Sequence, residues 1–426
     1  MMEKIWFALY NLLVIPFLYV GLRIGGIFNK KMRTGIIGRK RVFENLILNA
    51  INLDKSKELI WFHSSSLGEF EQAKPIIESL KQNVKINVLV TFFSPSGYEN
   101  SKKYPHADLV AYIPFDTSFN AKKFIKIVKP SLAVMMRYDI WPNYIKVLTD
   151  AGIPIYLVDA TMKNDSPRKY PVSKMFHKML FKKFTRILTV SEEDAKGFKE
   201  FDCTDKQLKA VGDTRFDRVY HRSLKASEKN LLRPDILKNK KVIVAGSTWE
   251  ADEEILFPVM IKLAARHPEL LFIITPHEPT LLHLEKIENE LARKIPSIRF
   301  SFLNNYKNER VIIVDSIGIL LTLYTYAHIT FVGGSFKSNI HNVLEAAVYG
   351  IPVIYGPKIE NSQEATSLVK EGGGIIVRNK IELYRKLKWL ITDENSRKKI
   401  GEMSAEYVRK NLGATEKILS EILSII

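Results

Sequence analysis

One stretch constrains the fold more than any other: FVGGSFKSNIHNVLEAAVYGIPVIYGP, residues 331–357. An apolar run over 329–332 stops at Gly333-Gly334. After a polar loop, the pattern predicts a helix opening at Asn342 and closing at Gly350, then a second apolar run after Pro352. Strand, glycine turn, helix and strand make a βαβ unit. In such a unit the N–H groups at the helix start face the crevice at the strand ends, where an anion binds. The two glycines suit a ligand that comes close to the backbone. Asn342 and Glu345 also have the spacing of a capping pair. Capping alone leaves the double glycine and the His341-Asn342 pair unexplained.

The rest of the chain repeats this alternation. Apolar runs at 59–63, 86–93, 109–113, 132–136, 155–158 and 187–190 are separated by amphipathic stretches such as 70–80 and 121–128. The pattern breaks over the polar, basic segment 218–240 and restarts at 242–245, 271–275, 311–314, 329–332, 353–355 and 375–377. This reads as an α/β chain with two Rossmann-like halves, each a parallel sheet covered by helices, facing a ligand cleft. The expected division is an N-terminal anchor at 1–28, a first domain at 29–217, a linker at 218–240, a second domain at 241–405 and a C-terminal helix at 406–426. Residues 394–426 as a whole read as helix.

A chain of 426 residues exceeds one ordinary core, which agrees with two domains. The single cysteine, Cys203, excludes an internal disulfide and a cysteine metal cluster, and fits a reducing compartment. A net charge of +18 favours anionic partners, meaning a membrane surface or a phosphorylated substrate. Nucleic acid is not expected, because zinc-finger spacing and RNA-binding aromatic signatures are both missing from the sequence. Residues 5–22 carry no charge, and Arg23, Lys30, Lys31, Arg33, Arg39, Lys40 and Arg41 follow. That is the pattern of a membrane anchor, spanning or partly inserted, with the basic flank and the remaining chain on the cytoplasmic side. A cleaved export signal fits poorly, since no small-residue cleavage site follows.

Several strand ends carry chemistry. In HSSSLGEF (63–70), Glu69 opens a helix beside Gly68, which suits an ionised general base facing the cleft; Ser66 and Glu69 also match a capping box. RYDIWPN (137–143) sets Arg137 to stabilise developing negative charge and Asp139 to accept from a hydroxyl, with an Asp cap before Trp-Pro as the structural alternative. In GDTRFDR (212–218), Arg215 suits a phosphate or carboxylate clamp. In the second half, Gly246-Ser247-Thr248, Pro276-His277, Asp315-Ser316-Ile317-Gly318 and the 331–357 unit end strands on one sheet edge, which predicts a nucleotide pocket. There His277 reaches a phosphate or base and Glu345 a ribose hydroxyl. A Walker loop and a GxGxxG turn are both missing, which argues against an NTPase or a dehydrogenase. The sequence suggests no fixed metal site.

Taken in order, HSSSLGE, IWPN, GDTRFD, GST with trailing acids, TPHEP, DSIG, FVGGS and HNVLEAAVYGIPVIYGP resemble the 3-deoxy-D-manno-octulosonic acid (Kdo) transferases, over nearly the whole chain. The resemblance implies a GT-B fold, attachment to the inner membrane, and inverting transfer of Kdo from CMP-Kdo to a lipid A precursor (lipid IVA). CMP-Kdo enters as a substrate and no cofactor is implied. Glu69 takes the place of the family's proton acceptor and Arg215 that of its transition-state stabiliser. CMP-binding positions fall on Pro276-His277, Ile317-Gly318-Ile319 and Asn342-Val343-Leu344-Glu345. The chain departs from the family at four points. The family's Glu-Thr-Glu is Arg137-Tyr138-Asp139, which leaves Asp139 as the carboxylate available for the first Glu's part. The usual Pro-Arg is Pro276-His277, Met-Gly-Glu is Ile317-Gly318-Ile319, and the Gly-Gly before His-Asn is Asn339-Ile340. The competing readings are another GT-B enzyme, such as a nucleotide-sugar 2-epimerase, and a membrane-bound lipid-binding protein without activity.

Overall fold

The computed structural model describes residues 2–426, in two compact units: the described residues up to 218 with 412–426, and residues 219–411. In the first unit, seven strands form one sheet: β1 (Leu59–Ser64), β2 (Asn87–Phe92), β3 (Leu109–Tyr112), β4 (Leu132–Met136), β5 (Ile155–Ala160), β6 (Arg186–Thr189) and β7 (Leu208–Ala210). Their order is β3-β2-β1-β4-β5-β6-β7, and every pairing is parallel. The central strands are buried from end to end, as an apolar run covered by helices on both faces must be. Trp61 anchors one face, fully buried, with its indole N–H on Thr91 Oγ1 at 2.8 Å.

The second unit repeats the plan with β8 (Lys241–Thr248), β9 (Leu270–Pro276), β10 (Ser297–Arg299), β11 (Val311–Ile313), β12 (Ile329–Val332), β13 (Val353–Tyr355) and β14 (Gly374–Ile376). The order is β10-β11-β9-β8-β12-β13-β14, again parallel throughout. In each sheet the chain starts at a central strand, winds to one side, then returns to wind the other way. The reversal lies between β1 and β4 in one sheet and between β8 and β12 in the other. Ligands of doubly wound sheets bind outside the carboxyl ends of the strands at this point.

Six strands of each sheet match the sequence pattern. The two it misses, β7 and β10, are three-residue edge strands of partly exposed residues without an apolar run. Three expected segments differ. The segment 218–240, expected as a linker, is partly helical: the helix Thr214–Ser227 extends into it across the division between the units, and a short helix, Pro234–Leu237, follows. Phe216, Val219, Ser223 and Ala226 recur at helical spacing and are buried, a stripe that the basic composition conceals. The closing segment is two helices, Glu394–Lys410 and Ala414–Leu423, broken at Gly413 with φ +98°. Only the second belongs to the first unit, where Ile418 and Ile422 join its core. Lastly, the helix expected from Asn342 to Gly350 is a single turn, Leu344–Ala347. Asn342 lies outside it, its side-chain oxygen accepting from Leu344 N at 3.1 Å in a local turn, and Gly350 leaves the segment at φ +70°.

Candidate active site

In the first unit, Glu69 and Asp139 both stand at the reversal point, because β1 delivers the 65–69 turn and β4 delivers 137–139. Ser66 caps the helix Leu67–Asn83, and its backbone N–H donates to Glu69 Oε2 at 2.9 Å. The capping box therefore forms, and it holds the carboxylate at the strand end. Glu69 is 7% exposed. Its carboxyl is pushed above the ordinary range by burial and then by the charge of Asp139; the bonds from Ser66 and the charge of Arg137 pull the other way. The sequence suggests an ionised group favoured by the helix dipole; burial acts in the opposite sense and is the largest cause of the upward shift.

Asp139 accepts from Ser65 Oγ, and burial raises its carboxyl to about 6, against lowering by Ser65 and Arg168. Its other oxygen, Oδ2, is buried without a hydrogen-bond partner. That oxygen lies 3.5 Å from His63 Nε2, which already accepts from Trp141 Nε1 at 2.8 Å. His63 is fully buried and driven down to about 3 by burial, so it stays neutral and structural. The His of HSSSLGE and the Trp of IWPN thus brace each other beside Asp139.

Arg137 ends β4 with φ +58°, a left-handed conformation that costs a non-glycine residue on the order of 1–3 kcal/mol. Its Nη1 donates to Gln72 Oε1 at 3.4 Å, and its Nε is buried without a partner. Next to it, β5 carries a second left-handed residue, Asp159 (φ +52°), which is fully buried. Asp159 accepts from both the N–H (3.3 Å) and the hydroxyl of Thr214, which ties the GDTRFDR segment to β5. Asp213 then grips Arg215, Nε to Oδ1 at 3.0 Å and Nη2 to Oδ2 at 2.5 Å. Burial, followed by the charge of Asp213, raises Asp159 to about 7, and Arg137 opposes this. The sequence reading missed Asp159 and Gln72, since neither sits in a glycine- or proline-marked motif. Asp213 and Thr214 lay inside a motif read only for its arginine.

In the second unit the strand-end loops share one edge because every strand is parallel. Gly333 and Gly334 owe their lack of side chain to neighbouring backbone rather than to a ligand. A Cβ would sit 2.3 Å from Ser247 O at Gly333 and 2.2 Å from Asn339 O at Gly334, where φ is +97°. Asp252, from the acids trailing GST, fastens this loop: Oδ2 accepts from Gly334 N at 2.7 Å and from Trp249 N at 3.0 Å, and Oδ1 accepts from Phe336 N at 3.3 Å.

Pro276 closes β9, and exposed His277 stacks on His341 with ring centroids 4.2 Å apart. Trp249 completes the stack, 4.7 Å from His277, and donates from Nε1 to His341 Nε2 at 2.8 Å. Burial, then His277, lowers His341 to about 4, which fits a neutral ring accepting at Nε2. Lys337 Nζ lies 3.8 Å from the Trp249 ring centroid. The sequence reading did not single out Trp249; an aromatic directly after Gly-Ser-Thr was its only signal. Val343 and Leu344 are buried, Asn342 is exposed, and Glu345 is partly buried with Arg222 Nη1 at 3.4 Å. Ile317-Gly318-Ile319 follows β11, two strands from β8, with Ile317 85% exposed and Gly318 at φ +86°. Among the described residues, no three His, Cys, Asp or Glu side chains group so as to hold a metal ion.

Two doubly wound parallel sheets with these strand-end sites define the GT-B class. Solved structures bear this out at the level of fold. A UDP-GlcNAc 2-epimerase from Neisseria meningitidis bound to UDP-GlcNAc superposes with a TM-score of 0.61 at 15% identity, covering 86% of this chain and 100% of that one. A glycosyltransferase from Rickettsia africae gives 0.56 at 13% identity, covering 87% and 98%. Sequence is more specific. Residues 40–218 match the family model described as 3-deoxy-D-manno-octulosonic-acid transferase (kdotransferase). The 3-deoxy-D-manno-octulosonic acid transferase of Aquifex aeolicus is 33% identical over 80% of this chain and 88% of its own length. That of Rickettsia bellii is 28% identical over 100% and 99%. The chain belongs to the Kdo transferase family, and is by that membership a glycosyltransferase.

Proposed function

We propose that this enzyme transfers Kdo from CMP-Kdo to a sugar hydroxyl of a lipid A precursor, lipid IVA, in lipopolysaccharide biosynthesis. The observation that carries this reading is a buried Glu69 with a raised pKa, beside Asp139, at the strand reversal of a Kdo-transferase chain. Glu69 takes the proton of the acceptor hydroxyl, and the oxygen attacks the anomeric carbon of Kdo in one inverting displacement through an oxocarbenium-like state. The bond to the CMP phosphate breaks, and the phosphate leaves with the electron pair. Arg215, oriented by Asp213, carries the positive charge that offsets the developing phosphate charge. Asp139 takes the part of the family's first motif glutamate. CMP seats on the second unit at Pro276-His277, Ile317 to Ile319 and Asn342 to Glu345. No metal or cofactor enters the step. The helix Met2–Phe28, long and apolar enough to cross a membrane, attaches the enzyme to the inner membrane, with both units on the cytoplasmic side.

The test is incubation of the full chain with CMP-Kdo and tetraacylated lipid A precursor in detergent. CMP release with a Kdo-bearing lipid by mass spectrometry is expected; CMP release without it, or none, overturns the reading. Glu69→Gln is expected to lose about 10²- to 10⁴-fold in turnover while CMP binding by calorimetry stays near that of the parent. Tighter binding of UDP than of CMP favours the epimerase reading instead.

A further inference from the structure

The N-terminal helix has two faces, and the polar one is in use. Residues 2–28 are helical throughout, with a π-helical turn at Tyr10–Val14 just before Pro16. On one face, Glu3 pairs with Lys183 at 2.7 Å. Tyr10 donates to Asp116 Oδ2 at 2.8 Å, and the Asn11 and Asn143 side-chain amides exchange two hydrogen bonds of 3.0 Å. Farther along, Tyr19 packs edge-on against Phe115 at 5.7 Å. Asp116 is fully buried and also accepts from the N–H groups of Asn143 and Tyr144, both at 3.2 Å.

Contacts with the first unit therefore run from residue 3 to residue 19, roughly 24 Å of helix axis. In a crossing helix that length would fill most of a hydrocarbon core about 30 Å thick, and would carry the Glu3–Lys183 pair and the Asp116 carboxylate into it. The opposite face is apolar and exposed along its length: Leu9, Leu12, Phe17, Val20, Ile24 and Phe28. Their spacing is three or four residues except for the five between Leu12 and Phe17, where the π turn supplies the extra residue. Beyond the helix the chain doubles back through Lys30–Gly38, exposing Lys30, Lys31 and Arg33, with Lys40 and Arg41 after it. Arg39 ties that end down, donating to Ile113 O at 3.1 Å and lying over the Phe93 ring at 4.4 Å.

We propose that this helix does not cross the bilayer but lies in the plane of one leaflet, clamped to the first unit. Its apolar stripe enters the acyl region, and the basic turn meets anionic headgroups. The charge of that turn and the length of the stripe commit the surface to an anionic lipid leaflet rather than to a second protein chain. Asn143 gives the arrangement a catalytic consequence: the segment 137–143 holds Asp139 at one end and the helix at the other. The clamp fixes how the site faces the lipid that carries the acceptor. The inference rests on membrane attachment and is separate from the identity of the sugar, which the detergent assay tests alone.

The native cysteine, Cys203, is buried, so the parent chain is the blank for cysteine labelling. Met2→Cys and Lys30→Cys are made singly and treated with a membrane-impermeant maleimide in sealed inside-out and right-side-out vesicles. Labelling of both from the same side is expected; labelling from opposite sides overturns the proposal. With purified full chain and phosphatidylglycerol-containing vesicles, Phe17→Asp is expected to lower flotation at least tenfold and leave turnover of detergent-dispersed acceptor unchanged. Unchanged flotation, or a lipid-free dimer that Phe17→Asp dissociates, overturns it in favour of another occupant.

Discussion

Glu69 and Asp139 share one electrostatic problem, two buried carboxyls at one strand end, and the charge of Asp139 adds to burial in raising the cost of ionising Glu69. In the proposed reaction Glu69 is the base and works only when deprotonated, so the acid limb of kcat/KM is expected above the ordinary carboxylate value of about 4.3. The neighbours push in opposite directions. Asp139 raises Glu69 and Arg137 lowers it. Asp139→Asn is expected to move the limb to lower pH and Arg137→Gln to higher pH, in the same assay, whatever each does to the maximal rate. Displacement in the same direction would remove Glu69 as the titrating base. Asp159 offers a companion test in stability. Its folded pKa lies above its unfolded value, so its stabilising contribution is present at low pH and lost as pH rises through about 7. The melting temperature of Asp159→Asn minus that of the parent is expected to grow from pH 5 to pH 8.5. At this scale the sequence showed which side chains reach the strand ends. It did not show their ionisation, because burial and partners such as Asp213 come from segments far apart in the chain.

Helices and loops in this chain end where a distant side chain binds them, so their limits are hard to read locally. The Ala414–Leu423 helix starts at Gly413, whose N–H donates to Asp217 Oδ1 at 2.7 Å while Thr415 N donates to Oδ2 at 2.6 Å. A carboxylate nearly 200 residues upstream thus caps it, and Gly413 itself is the local mark of the break in what reads as one helix over 394–426. Asp217→Ala is expected to cost about 1–2 kcal/mol, as loss of a helix cap does, measured by urea denaturation, with the pH dependence of kcat/KM unchanged. The glycine turn at 333–334 teaches a related lesson. Its glycines were legible as special, but the reason is the Ser247 and Asn339 carbonyls and the Asp252 carboxylate, which the fold alone brings there. Gly333→Ala forces a Cβ against backbone, which cannot give way as a side-chain tip would. It is expected to lower the melting temperature and to weaken CMP binding by calorimetry.

On the scale of the whole molecule, the parallel architecture was legible because buried parallel strands leave uninterrupted apolar runs, twelve of the fourteen here. The disposition of the N-terminal helix was not. Its composition reports how readily it partitions into lipid, whereas its place is set by Asp116, Asn143 and Lys183, more than 100 residues away. The net charge of +18 has a further consequence under the proposed function, in which the acceptor is held in an anionic surface. The Debye length falls from about 30 Å at 0.01 M salt to about 8 Å at 0.15 M, so long-range attraction to the leaflet fades over that range while contacts within the site persist. With acceptor embedded in anionic vesicles, kcat/KM is expected to fall several-fold between these salt concentrations. With the acceptor in neutral detergent micelles it should change little, because the attracting surface is then missing. Replacing Lys30, Lys31 and Arg33 together by Gln should flatten the vesicle curve and leave the micelle rate unaltered. An equal salt effect in vesicles and micelles would place the charge sensitivity in the site itself, at Arg215 and its anionic substrate, rather than at the basic turn beside the apolar stripe.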